Sequence, residues 1–191
     1  MMGDPGKISG GLNLIYIGSL IAIVSMVCAA VVLLVPLLAL LLVFVGFVGG
    51  VVSLAGLVML RNEHGDYMNA LVACVLGIVF GLLSGGDDTF ATFMNLGRTI
   101  CALLQVYFVV RGTNSFLRER GCLTEVSMGD RAWKWQLISA VVGVAVGGLA
   151  ALALFLAPGL SIVLVLGALV VEIAALVFYL SYLKASVAAL G

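Results

Sequence analysis

Charged residues are scarce in this chain of 191 amino acids. Only 9% of the residues are charged and 64% are hydrophobic, whereas soluble domains carry about 25% charged residues. A soluble helical bundle of this composition would have too little polar surface to cover its helices. The formal net charge is zero, so no global basic field attracts nucleic acid. The composition therefore indicates a membrane protein, and we expect the lipid bilayer and not nucleic acid as its partner.

Residues that carry chemistry are also few and poorly grouped. The four cysteines include no CxxC pair, so neither a disulfide-exchange motif nor a zinc knuckle is supported. The single histidine, His64, cannot build a zinc site by itself. Asp87 and Asp88 are interpreted as a solvated turn. The apolar runs contain no Ser–His or Ser–Lys pair, and no glycine-rich phosphate loop follows a strand. We therefore predict that the chain is not an enzyme and has no catalytic residue, metal or cofactor.

Long apolar runs are abundant instead. Residues 12–60 are almost continuously apolar, and as one helix they would span about 74 Å, more than twice the hydrocarbon core of about 30 Å. Pro36 lies near the middle of this run, and Pro158 lies near the middle of a second run over 135–183. Because proline lacks an N–H and disfavours helix in the residue before it, we predict helix breaks at Val35–Pro36 and at Pro158.

The runs predict an all-α integral membrane protein with a single domain over residues 1–191 and six transmembrane helices in three consecutive hairpins. The expected helices are 12–34, 37–60, 67–84, 90–111, 135–157 and 160–183, with a cytoplasmic loop over 112–134. Within that loop, the fourth helix has a natural continuation to Arg120, with Gly121 as its C-terminal cap. Proline turns that do not fully cross the bilayer are the alternative, and a four-helix arrangement would leave too many apolar residues unplaced.

Basic residues predict the orientation. With a cytoplasmic N-terminus, eight Lys and Arg residues fall in inside segments and none in the three outside turns, which is the positive-inside pattern. The eight residues are Lys7, Arg61, Arg111, Arg118, Arg120, Arg131, Lys134 and Lys184. We therefore expect a multi-pass protein of the inner or plasma membrane with both termini in the cytoplasm. Anionic lipid headgroups are expected near Arg118, Arg120 and Lys134.

Small residues recur at helical spacing and predict close helix contacts, since lipid gives helices no hydrophobic reason to associate. The stripes are Gly18, Ala22, Ser25 and Ala29; Gly46, Gly50 and Ser53 with Gly49 and Gly56 beside them; Ala73, Gly77, Gly81 and Gly85; and Ser139, Gly143, Gly147 and Ala151. We interpret them as packing faces within the chain. A membrane protein partner or a second copy of the chain is the alternative.

The predicted fourth helix, 90–111, carries a basic residue well inside its apolar stretch. At 3.6 residues per turn, Asn95, Thr99 and Gln105 share one face, and Arg98 lies beside them. A guanidinium facing lipid at that depth would cost about 2.5 kcal/mol or more. This face is therefore expected to look into protein or water.

Glu172 is the second charged residue inside a predicted span. Its expected depth differs from that of Arg98 by about 6 Å, so we expect the two side chains to pair. The pair is interpreted either as a structural ion pair or as a proton- or ion-coupled site with Glu172 as the titrating group. We predict an accessory or assembly protein that acts through helix packing and partners; the alternative is a small transporter or channel. A water-filled cavity that reaches Arg98 would favour transport.

Overall fold

The computed structural model describes residues 4–31, 36–85 and 89–191, and within these ranges the chain forms six α-helices and no β-strand. The helices are α1 (Pro5–Val31), α2 (Pro36–Leu60), α3 (Gly65–Leu83), α4 (Thr89–Glu119), α5 (Leu123–Leu156) and α6 (Pro158–Leu190). Five of them contain segments long and apolar enough to cross a membrane, and α2 contributes a shorter apolar segment, Phe44–Leu60. The predicted all-helical class with six helices is confirmed.

Two helices begin at the prolines where breaks were predicted. α2 begins at Pro36 and α6 at Pro158, where the missing N–H costs no hydrogen bond because the first turn of a helix leaves its N–H groups unpaired. Ala157 has φ −157° and ψ 87°, outside the helical region that a following proline disfavours. Val35 lies outside the described residues.

The structure corrects the loop expected over residues 112–134, because most of this segment is helical. α4 continues to Glu119 and α5 begins at Leu123, so only residues 120–122 separate the two helices. The polar side chains of the segment mark where the chain becomes hydrophilic, but they do not end the helix.

Gly121 ends α4, as the sequence predicts. It is the only positive-φ residue among those described, with φ +74°, a left-handed conformation that glycine adopts without a steric penalty. Its N–H donates to the carbonyl oxygen of Arg118 at 3.0 Å, and the N–H of Cys122 donates to that of Leu117 at 2.9 Å. These two hydrogen bonds form a Schellman motif, which pairs the last carbonyl groups of the helix.

The start of α1 and the end of α6 meet the α2–α3 and α4–α5 turns at one end of the bundle, which we call the base. The ion pair between Lys7 Nζ and Glu63 Oε1 spans 3.9 Å, and Arg120 Nη1 donates to the carbonyl oxygen of Leu190 at 3.0 Å. The buried core extends to the base, because every helix contributes side chains near its basal end. Examples, one from each helix in order, are Leu12, Leu60, Tyr67, Leu117, Ala132 and Leu183.

This basal packing explains why α1 begins seven residues before its predicted start and α6 ends seven residues after its predicted end. Ile8 on the added part of α1 and Leu190 on the added part of α6 are both buried in the core. Hydropathy indicates where a helix would leave lipid, whereas contacts with neighbouring helices decide how far the helix continues.

The six helices form a closed ring in chain order. Each helix contacts the next one, α6 contacts α1, and α4 and α6 also touch directly. α1 and α2 run in opposite directions along their contact, because Gly11 lies beside Gly56 nearer the base and Gly18 lies beside Gly49 further from it. A Cβ added to Gly56 would stand 2.6 Å from the carbonyl oxygen of Gly11. Gly18, Gly49 and Gly56 of the predicted stripes thus lie in the packing face, whereas Gly50 is exposed and does not.

Candidate functional site

A cavity of about 730 Å³ lies between α1, α4, α5 and α6. All five residues of the polar site proposed from the sequence line it: Asn95, Arg98, Thr99 and Gln105 from α4, and Glu172 from α6. The fold therefore brings these five side chains to one place.

The direct ion pair expected between Arg98 and Glu172 is not formed. The ion pairs found in the described parts of the chain, Lys7 with Glu63 and Arg111 with Asp66, include neither residue, and both residues are exposed. The side chain of Arg98 runs close to α3, where a Cβ added to Gly81 would lie 3.5 Å from its Cδ atom. The aliphatic part of the arginine side chain therefore lies against α3 at Gly81.

The depths of the two charges along their helices also differ. Arg98 lies nine residues after Thr89, the first residue of α4, which corresponds to about 14 Å of helix. Glu172 lies fourteen residues after Pro158, the first residue of α6, which corresponds to about 21 Å. The cavity thus presents a cation and an anion that do not form an ion pair with each other.

Polar groups without charge complete the lining. Thr99 Oγ1 donates a hydrogen bond to the carbonyl oxygen of Asn95 at 3.0 Å, so its lone pairs face outward as acceptors. The amide side chains of Asn95 and Gln105 carry both donors and acceptors. The cavity therefore offers hydrogen-bonding groups of both kinds beside its two charges.

Sequence reasoning missed Gln136, which lines the same cavity from α5. Its Nε2 atom is buried and has no hydrogen-bond partner in the described part of the chain. A buried donor left unpaired costs about 1–3 kcal/mol, so this atom is a ready donor for a polar group in the cavity. The sequence did contain a signal for this residue, because Gln136 carries a polar amide near the start of the apolar run 135–183.

The small residues of α5 border this open space, which corrects their interpretation as a packing face. Ser139 and Gly143 line the cavity, and a Cβ added to Gly143 or to Gly147 would meet no atom within 4 Å. The spacing of these residues resembles that of the α1–α2 contact. Only the position of the neighbouring helices distinguishes a packing face from a cavity wall.

Buried hydrogen bonds between aromatic and polar side chains lie on the basal side of the cavity. Tyr179 lines the cavity and is buried. Nearly one turn closer to the base, Tyr182 Oη donates to Asn114 Oδ1 at 2.9 Å, and Tyr67 Oη lies 3.0 Å from Thr113 Oγ1. We call Tyr182, Asn114, Tyr67 and Thr113 the tyrosine layer.

The remaining polar candidates lie elsewhere. His64 Nδ1 accepts a hydrogen bond from the N–H of Asp66 at 3.2 Å and so caps α3 at the base. Over the residues that could be searched, no group of three His, Cys, Asp or Glu side chains is arranged to hold a metal ion. Asp87 and Asp88 lie outside the described residues.

Comparison of the chain with protein-family models, curated proteins and solved structures finds no match. Any function must therefore be argued from the cavity and its position in the fold.

Proposed function

We propose that the chain is a multi-pass protein of the cell membrane that crosses the bilayer six times as three helical hairpins, with both termini in the cytoplasm. Five helices with spans of sufficient length and hydropathy support this proposal, as do the basic segments that converge on the base. Large apolar side chains are exposed on the outside of the bundle, and contact with lipid would remove them from water. Examples are Phe47, Leu82, Phe93, Val141 and Val163.

Within this membrane protein, the geometry best supports the binding and passage of a small polar solute or an ion through the cavity. The observation that carries this proposal is one cavity faced by Arg98 and Glu172, both outside any ion pair in the described structure. A charge in the apolar part of a bilayer costs about 2.5–3.5 kcal/mol, and intramembrane charges commonly mark substrate or ion routes. Binding of a solute or an ion by these two charges would offset this free-energy cost.

The lining residues have distinct roles in this proposal. Arg98 attracts the anionic part of a solute, and Glu172 binds a cationic part or carries a proton. Asn95, Thr99 and Gln105 replace hydrogen bonds that the solute loses when it leaves water. Each role is binding or orientation, so the proposed activity needs no catalytic residue and no cofactor.

An accessory or assembly role is the second candidate, and a specific feature of α5 favours it. Gly147 and Gly148 are exposed, and a Cβ added to either would meet no atom within 4 Å. Small residues let another helix approach closely in a membrane. A membrane protein partner or a second copy of this chain could pack on this face.

Flux measurements on Glu172→Gln separate the two candidates. The purified protein is reconstituted in liposomes that contain a pH-sensitive dye, and proton flux is followed together with swelling in glycerol and in glycine. We expect the wild type to exceed protein-free liposomes in at least one assay. The flux of the variant should be about tenfold lower, because glutamine can neither carry the proton nor bind the cationic part of the solute as the Glu172 carboxylate does in this proposal.

Glu119→Gln is the matched control, because Glu119 is exposed at the end of α4 and outside the cavity. Its flux should equal that of the wild type. Wild-type flux no greater than that of protein-free liposomes would overturn the transport proposal. A Glu172→Gln protein that is less stable but retains its flux would assign Glu172 a structural role.

A further inference from the structure

A second pocket, of about 410 Å³, lies at the base and is separate from the cavity described above. Its walls come from the start of α3, the basal half of α4 and the first turns of α5. Unlike the larger cavity, it carries several charged groups close together. We call it the basal pocket.

One side of the basal pocket is already neutralised. Asp66 is buried, and its Oδ2 atom lies 3.4 Å from Arg111 Nε and 3.4 Å from His64 Nδ1. Because the Asp66 carboxylate already has a guanidinium beside it, it needs no further counter-ion. Asp66 and Arg111 therefore contribute to the pocket wall but leave no unpaired charge for a ligand.

The basal pocket also carries two opposite charges that do not form an ion pair with each other. Arg118 on α4 and Asp130 on α5 both line the pocket, and neither belongs to an ion pair in the described structure. Asp130 Oδ1 accepts a hydrogen bond from Asn114 Nδ2 at 3.2 Å, which holds its carboxylate in position. The pocket therefore presents a cation from α4 and a fixed anion from α5.

Aromatic side chains close the pocket on the side of the apolar spans. The rings of Tyr107 and Trp133 both line it, with centroids 5.0 Å apart. Tyrosine and tryptophan favour the depth of lipid headgroups, and the face of a tryptophan ring attracts an organic cation. If the bilayer lies where we place it, this pocket is at the level of the headgroups.

We propose that the basal pocket binds the headgroup of an amine-bearing phospholipid. Arg118 binds the phosphate, Asp130 binds the ammonium group, and Trp133 covers the amine. A headgroup with only negative charge would satisfy Arg118 but would leave the Asp130 carboxylate facing another anion. The proposal depends on the membrane placement but not on solute flux through the larger cavity.

Native mass spectrometry of the full chain, released from detergent with defined lipids, tests the preference. Phosphatidylethanolamine and phosphatidylglycerol with the same acyl chains are titrated separately. We expect phosphatidylethanolamine to bind about fivefold more tightly. Equal affinities for the two lipids, or tighter binding of phosphatidylglycerol, would overturn the proposal without any variant.

Two substitutions then assign the charges. Arg118→Gln should weaken binding of both lipids by about tenfold, because both carry a phosphate. Asp130→Asn should bring the two affinities within about twofold of each other, while its amide oxygen can still accept from Asn114. Arg61→Gln is the control, because Arg61 is exposed at the base but outside the pocket. An unchanged preference in Asp130→Asn would refute the role of the carboxylate.

A soluble competitor distinguishes a lipid from a free metabolite. Because it lacks acyl chains, O-phosphoethanolamine should bind at least about tenfold more weakly than the lipid. A soluble compound that binds as tightly as phosphatidylethanolamine would overturn the assignment to a lipid. Failure of the flux assay would leave all these binding results unaffected, so the two proposals can fail separately.

Discussion

Single glycines decide how closely α1 and α2 approach each other. A Cβ added to Gly18 would stand 2.5 Å from the carbonyl oxygen of Gly49, and one added to Gly49 would stand 2.7 Å from that of Gly18. Gly50, the next residue on α2, is exposed, and a Cβ there would meet no atom within 4 Å. Of these two neighbouring glycines on α2, only Gly49 is needed for the close contact with α1.

This difference predicts the effect of a larger side chain at the contact. Gly18→Val should lower the free energy of unfolding by about 1–3 kcal/mol, because the two backbones must separate to admit the new side chain. The loss of helical circular dichroism during titration with a denaturing detergent measures this change.

Gly50→Val is the matched control, since it makes the same chemical change in a helix whose outer face is open. We expect it to stay within about 0.5 kcal/mol of the wild type. Equal stability of the two variants would contradict the close contact at Gly18.

At the scale of elements, the α4–α5 connection depends on where one helix can stop. Polar residues begin well before the end of α4, yet the helix continues until Gly121 adopts φ +74°. The next helix starts at Leu123, so this short turn determines how α5 is directed along α4. Asn114 and Asp130, which form a hydrogen bond across the two helices, depend on that direction.

Gly121→Ala should therefore destabilise the protein by about 1–2 kcal/mol, because an L-residue pays a steric penalty in the left-handed region. Thermal unfolding in detergent, followed by circular dichroism, measures the shift. Gly65→Ala is the control, since Gly65 lies in the first turn of α3 and an added Cβ would meet no atom within 4 Å. A Gly121→Ala protein as stable as the Gly65→Ala protein would argue against the glycine cap.

At the scale of the whole molecule, the charged segments and the apolar spans are separated along one axis. The base holds the start of α1, the end of α6, the ion pair of Lys7 with Glu63 and the turn at Gly121. Beyond the tyrosine layer, apolar helices line the cavity with its two charges. This arrangement supports the proposed bilayer position, in which the base is on the cytoplasmic side.

Labelling of single cysteines tests this orientation. After the native cysteines are replaced, Gly85→Cys and Asn62→Cys are introduced separately at exposed positions on either side of α3. A maleimide that cannot cross membranes should label Gly85→Cys in intact cells, and Asn62→Cys only after permeabilisation. Labelling of both positions from the same side would contradict a crossing by α3, and the reversed pattern would contradict cytoplasmic termini.

Much of this fold could be predicted from local sequence. The apolar runs predicted helices, Pro36 and Pro158 predicted where two of them begin, and Gly121 predicted where α4 ends. Each of these features depends on the chemistry of a short chain segment. The polar strip around Arg98 was also recognisable, because residues three or four apart share one face of any helix.

The sequence by itself thus determined the helical class, the helix breaks and the cluster of polar residues on α4. Only the tertiary structure decided that Arg98 and Glu172 line one cavity without pairing, that Gln136 joins them, and that Gly143 borders open space rather than a helix. The physical reason is that periodicity describes one face of one helix. What lies opposite that face depends on how several helices pack around it.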